Sequence, residues 1–190
     1  MNPLLNASHR KLFGISLLAV AALAACGGSD DEHERTPASL QLEKIGGYSA
    51  GQFLKSAAEI PAFDAASKRA FVVNAQSGKL DVLELGDPKN PLKVGEVNGA
   101  AVLTNGEVNS VAVKNGLVAI AIQAKPKTDA GRIAIYQAAD LKLLGSAPVG
   151  ALPDMLTFTP DGKTILDASE AGTNDDYQGD PERSKSMVDV

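Results

Sequence analysis

The sequence holds one cysteine and no tryptophan, and its only histidines are His9 and His33. A single cysteine excludes an internal disulfide framework and any zinc site built from several thiolates. With no histidine after position 33, a Ser-His-Asp triad and a histidine-rich metal site are excluded from most of the chain. Aromatic residues make up only 4%. A core must therefore be built from Val, Ile, Leu and Ala with a few Phe. No Gly-rich loop leads into Lys-Ser or Lys-Thr, so there is no sign of a phosphate-cradling loop.

The longest apolar run, Leu12–Ala25, is 14 residues. A bilayer-spanning helix needs roughly 20. The run follows His9, Arg10 and Lys11 and ends in Leu23-Ala24-Ala25-Cys26-Gly27. A basic flank, a short apolar core and small residues at its end are the parts of a cleaved export signal. The reading is a signal helix over 1–25. Leu23-Ala24-Ala25-Cys26 resembles the lipobox of bacterial lipoproteins. That resemblance implies lipidation of Cys26, cleavage before it, and a membrane partner reached through the lipid. Each buried methylene contributes about 0.8 kcal/mol, so two or three acyl chains hold where one would not. An ordinary secretory signal beside a free Cys26 is the alternative. Arg10-Lys11 is not a twin-arginine pair, which favours the general export route. Gly27 replaces the Asp that tends to retain such proteins at the inner membrane. The expected location is the cell envelope, at the outer membrane.

Residues 26–39 read as a flexible acidic linker. Gly27-Gly28-Ser29 and Asp30-Asp31-Glu32-His33-Glu34-Arg35 contain almost nothing apolar. His33 reads as a solvated linker histidine. Residues 1–25 hold two of the 18 basic residues and none of the 23 acidic ones, which leaves 26–190 at −7. That balance gives no electrostatic footprint for nucleic acid.

From residue 40 the pattern is all-β. Short β-branched and apolar runs are bounded by Gly, Asn, Asp and Pro, as in Arg69–Asn74, Lys79–Leu85, Leu117–Ile122 and Arg132–Tyr136. Only Ala50–Glu59 permits a helix. The runs also repeat. Phe63–Val73, Val111–Ile120 and Phe158–Leu166 each hold a strand end, a polar turn and a second strand, at offsets of 48 and 47 residues. Lys79–Val82, Arg132–Ile135 and Ser186–Val190 recur at 53 and 54. Leu92–Val97 and Leu143–Val149 supply a further strand after the first two. Four short strands in about 50 residues are the signature of a β-propeller blade. Asn115-Gly116 and Pro160-Asp161-Gly162 suit tight hairpins. The expected blades are 59–99, 107–150 and 153–190, within a partial propeller over 40–190. They amount to about two and three-quarter four-stranded blades and an incomplete ring, so the chain reads as truncated.

Glu107–Gly116 and Leu152–Lys163 also resemble the choice-of-anchor I family, over about residues 40–190. The resemblance implies a YVTN-like propeller of a surface or secreted bacterial protein, longer than this chain. It carries over no catalytic residue. Some members are labelled as phosphatase- or nucleotidase-associated. The pattern is departed from at Asp167-Ala168-Ser169-Glu170-Ala171-Gly172, where an apolar strand and an acidic Asn-Glu-Gly loop are usual.

Catalytic and metal residues stay unassigned from sequence. Asn174-Asp175-Asp176-Tyr177-Gln178-Gly179-Asp180-Pro181-Glu182 could gather oxygen ligands for calcium, although the spacing is not that of an EF-hand. A solvated acidic loop is the simpler reading. No other cofactor is implied. Glu107 and Asp154 precede matching first strands, where propeller channels are lined, and also read as strand-end residues. The expected function is a lipid-anchored envelope module with a binding or scaffolding role. Its partner would be a protein or small molecule on the propeller face. The alternative is part of a metal-dependent hydrolase, phosphatase/nucleotidase-like or lactonase-like, whose site needs further blades.

Overall fold

The computed structural model describes residues 39–51, 53–55, 57–174, 176 and 179–190. The signal region, Cys26 and His33 lie outside the described residues. Residues 43–190 form one compact unit. Of the preceding unit, residues 39–42 are described, and they are exposed coil. Ala50–Glu59 shows no helix among its described residues.

Eleven strands make three antiparallel sheets. The first sheet runs in the order β1 (Pro61–Asp64), β2 (Arg69–Asn74), β3 (Lys79–Glu84), β4 (Leu92–Asn98). A short 3-10 turn, Gly99–Ala101, follows, and the Asn98 side chain caps it by accepting from the Ala100 N–H. The second sheet is β5 (Glu107–Lys114), β6 (Leu117–Gln123), β7 (Ala130–Gln137), β8 (Leu143–Ala151). The third is β9 (Pro153–Phe158), β10 (Thr164–Ser169), β11 (Ser184–Asp189). Each sheet is an antiparallel meander of consecutive strands.

The turn residues account for those reversals. Asn115 and Gly116 have φ of 51° and 76°, the left-handed pair a two-residue hairpin requires. Gly162 sits at φ 72°, and Asp161 accepts from the Thr159 hydroxyl at 2.6 Å and the Lys163 N–H at 3.2 Å. In the first sheet, Asp64 accepts from the Ser67 N–H at 2.8 Å. The register slips at Val82/Leu83 between β3 and β4, and at Ile135/Tyr136 between β7 and β8. These are corresponding positions of the repeat.

The sheets stack face to face. Phe71, Val73, Leu80 and Val82 of the first meet Val108, Val111, Val118, Ile120, Ile122 and Tyr136 of the second. Ala119, Ala121, Ile133 and Val149 of the second meet Leu156 and Ile165 of the third. Strand β6 is apolar without alternation because both of its faces are covered. Each fully buried Phe, Leu, Ile or Val contributes about 1.5–3 kcal/mol of transfer free energy. Arg69 links the first two sheets, donating to the carbonyl of Ala138 at 3.0 Å. The first strands β1, β5 and β9 neighbour one another in that order. This is the blade arrangement of a propeller, with the first strand of each sheet innermost. Among the described residues the sheets do not close into a ring. The far face of the third sheet leaves Met155, Leu166 and Met187 exposed.

Candidate functional site

The end of the stack where β5 and β9 begin collects the longer connections, residues 99–106, 124–129 and 170–183. Glu107 is the first residue of β5, and Asp154 the second of β9. Both therefore lie within first strands rather than ahead of them, because pairing with the second strand extends to this rim. A bulge between Val108 and Ser110 frees Asn109 from the β5–β6 ladder.

That bulge turns Asn109 toward the third sheet. Its Nδ2 donates to Gln123 Oε1 at 3.1 Å and to the Pro153 carbonyl at 3.1 Å. Gln123 Nε2 in turn donates to Glu107 Oε2 at 2.7 Å. Lys125 Nζ stands 3.6 Å from Glu107 Oε1. The first sheet joins through the Val108 N–H, which donates to the Gly78 carbonyl at 2.9 Å. Gly78 is at φ 66°, and a Cβ there would lie 2.8 Å from Glu107 Cγ. The side-chain relay joins the second and third sheets, and the adjacent Val108 N–H joins the first. Asp154 is exposed beside it.

The same end holds an open cavity of about 560 Å³, lined by Glu170, Ala171, Gly172, Thr173, Asp180 and Arg183. Its backbone is held in unusual conformations. Leu152, at φ 51° although it precedes a proline, accepts the Glu170 N–H at 2.9 Å. Ala171, at φ 54°, donates to the Ala151 carbonyl at 3.1 Å. Such residues cost of order 1–3 kcal/mol each and persist only where surrounding contacts fix them. In the acidic loop, Asn174 Oδ1 accepts the Gly179 N–H at 3.0 Å. Asp176, Asp180 and Glu182 are exposed, and Asp175, Tyr177 and Gln178 lie outside the described residues. Among the described residues no three of His, Cys, Asp or Glu are placed to hold a metal ion.

Besides Asp64 in its turn, two buried carboxylates, Asp81 and Asp167, stand apart from this rim. Asp81 lies on the face of the first sheet away from the second. It accepts from Asn74 Nδ2 at 3.0 Å and pairs with Lys93 Nζ at 2.6 Å. That carboxylate, with Glu96 adding to it, holds the Lys93 ammonium above its ordinary range. A cavity of about 420 Å³ opens beside Asp81, lined also by Tyr48, Lys55, Glu59 and Val72. Asp167 faces the second sheet. Burial pushes its carboxyl up, against hydrogen bonds from Ser169 and Ser186 that pull it down. Ser169 Oγ donates to Asp167 Oδ2 at 2.9 Å, and Oδ1 is buried with no partner. Sequence reasoning gave neither carboxylate a role. Asp81 reads as the polar half of an alternating strand, whereas Asp167 opens the segment that departs from the family pattern.

The rim offers hydrogen-bond donors and acceptors with charges of both signs, a composition suited to holding a polar ligand. Asn109, Gln123 and Glu107 are engaged with one another and with the backbone, so they position strands. Asp154 and the cavity residues Glu170, Asp180 and Arg183 are exposed, as is Lys125 beyond its contact with Glu107.

Comparison with solved structures agrees with the architecture. The chain is similar to a "putative 6-phosphogluconolactonase" of Bacteroides fragilis, at 18% identity and a TM-score of 0.51, covering 71% of this chain and 40% of the other. It is also similar to a luciferin-regenerating enzyme, at 12% identity and a TM-score of 0.55, covering 72% and 46%. At such identities the likeness is one of fold alone. The chain spans less than half the length of either protein. No curated protein sequence matches it significantly. The model of the choice-of-anchor I domain matches residues 59–190, a narrower span than the 40–190 expected from sequence. This is a β-propeller module of a cell-surface or exported protein, and the chain belongs to the choice-of-anchor I family.

Proposed function

We propose that the chain is a lipid-anchored envelope module that binds a partner or ligand without transforming it. Contact is made at the rim where β5 and β9 begin. The anchor is Cys26, and residues 26–39 give the module reach from the membrane. The observation that supports this reading is the polar relay from Lys125 through Glu107, Gln123 and Asn109 to the Pro153 carbonyl. It ties the second sheet to the third, while the Val108 N–H ties the second to the first, and it leaves Asp154 and Lys125 facing solvent beside the cavity. A surface held rigid in this way loses little conformational entropy on binding.

A photo-activatable side chain at Asp154 tests the site. It should capture a partner or ligand in intact cells, and the same group at Lys163, at the opposite end, should not. Equal capture at both positions contradicts the placement of the site. Turnover of a phosphomonoester or a lactone by the purified chain, lost in Asp154→Asn, contradicts the non-catalytic reading.

A further inference from the structure

The chain joins aspartate to proline in two places, and glycine precedes the pair in both. Gly86-Asp87-Pro88 lies between β3 and β4, and Gly179-Asp180-Pro181 between β10 and β11. An aspartyl–prolyl link is unusually open to cleavage in acid. The side-chain carboxylate can reach its own carbonyl carbon and close a five-membered ring. The proline nitrogen is a tertiary amide with no N–H, and it leaves as a basic secondary amine. The two tripeptides are identical, so a difference between them comes from their surroundings.

The surroundings of Asp87 restrain it. Asp87, Pro88, Lys89 and Asn90 form a β-turn with proline at its second position, closed by the Asn90 N–H donating to the Asp87 carbonyl at 3.1 Å. Asp87 Oδ1 accepts the Lys89 N–H at 3.0 Å, and Oδ2 accepts from Asn90 Nδ2 at 2.7 Å. The Asn90 amide, with the Lys89 N–H, holds the carboxyl below its usual range. Both carboxylate oxygens and the scissile carbonyl are thus engaged. Attack on that carbonyl requires the carboxylate to leave two donors at once.

Asp180 has no such restraint. Its side chain is exposed, and among the described residues nothing hydrogen-bonds its carboxylate or its carbonyl. The open cavity of about 560 Å³ that it lines gives water access to the link. We propose that Asp180–Pro181 is a self-cleaving bond: in mild acid the Asp180 carboxylate cuts its own link to Pro181, while Asp87–Pro88 survives. A carboxylate oxygen bonds to the Asp180 carbonyl carbon, the C–N bond breaks, and a proton from the medium goes to the departing nitrogen. Water then opens the cyclic anhydride. The net change is hydrolysis, with a new carboxyl group on Asp180 and a new N-terminus at Pro181. The cut falls in the wall of the rim cavity, between Asp180 and Arg183. It leaves the third sheet assembled, because β11 stays paired with β10 from Ser184 to Asp189.

Mass spectrometry of the purified full chain, held at about pH 4 where roughly half of ordinary aspartates are ionised, tests this. A peptide beginning at Pro181 should accumulate, and one beginning at Pro88 should not. Asp180→Glu should abolish the first, because its carboxylate must close a slower six-membered ring. Asn90→Ala should speed scission before Pro88 about tenfold, the factor set by one hydrogen bond to a charged group. In urea at the same pH, where the turn is lost, both links should break at similar rates. Four results overturn the proposal: no Pro181 terminus from the folded chain, equal scission at both links in the folded chain, scission that persists in Asp180→Glu, or a preference for Pro181 that is unchanged in urea.

Discussion

Gly150 on β8 lies directly against Ser184 on β11: a Cβ added at position 150 would collide with Ser184 Oγ. Ser169 is as confining, with its Cβ and Oγ both 2.8 Å from that point. The second and third sheets meet here through a row of small residues. Gly150→Ala is expected to destabilise the fold by about 1–3 kcal/mol, the usual cost of overpacking. Gly145→Ala on the same strand should change little, because nothing lies within 4 Å of its added Cβ. Chemical denaturation of the two variants makes the comparison. Equal losses would mean that the joint relaxes freely.

Asp167 sets how that joint responds to pH. Its carboxyl is raised in the folded chain above its unfolded value, chiefly by burial. The folded state therefore favours the protonated form. The stability this contributes is full below the ordinary aspartate range and is lost as pH rises through the raised value. Asp167→Asn removes the titration and keeps an acceptor for Ser169. Its melting temperature should gain on that of the wild type as pH climbs from 3 toward 7. Parallel curves would show that the charge is accommodated without cost.

Lys93 is expected to matter for what it leaves behind. Asp81 is 4% exposed, and Lys93 stands 2.6 Å away as its cationic partner. Lys93→Met would strand a buried carboxylate and cost about 1–3 kcal/mol. Adding Asp81→Asn should recover most of the loss, because the charge needing a partner is then gone. Urea midpoints of the single and double variants read this directly. A double variant no better than Lys93→Met would assign the loss to packing of the lysine stem.

The relay at the rim allows a matched test. Asn109 donates from one nitrogen to two acceptors, Gln123 Oε1 and the Pro153 carbonyl. Asn109→Asp keeps the shape and replaces the donor with an acceptor. A loss of about 1–3 kcal/mol in unfolding free energy is expected, since acceptors would then face acceptors. No change in the denaturation midpoint would remove the relay from the account of how the sheets are held.

Much of this architecture was legible in the sequence because it repeats. The offsets between Phe63, Val111 and Phe158 follow from three sheets built alike, and Asn115-Gly116 and Pro160-Asp161-Gly162 mark hairpins that the backbone adopts. The run Leu117–Ile122 was legible as a strand, and the structure shows it covered on both faces. The polar details were not legible. The bulge at Asn109 leaves no mark in a strand pattern, yet it directs that side chain to the neighbouring sheet. Asp81 looks like the polar half of an alternating strand, and Asp167 falls in the segment that departs from the family pattern. What buries them is the next sheet or a covering segment, and neither is a local property. Glu107 and Asp154 were placed near the rim by their position in the repeat, but their different roles depend on hydrogen bonds between elements.

The mass of the N-terminal peptide, taken from chain extracted from bacterial membranes, tests the anchored-module account most directly. The account expects that peptide to begin at Cys26, with a diacylglycerol thioether on its sulfur. An N-terminus elsewhere, or Cys26 bearing a free thiol, would contradict it.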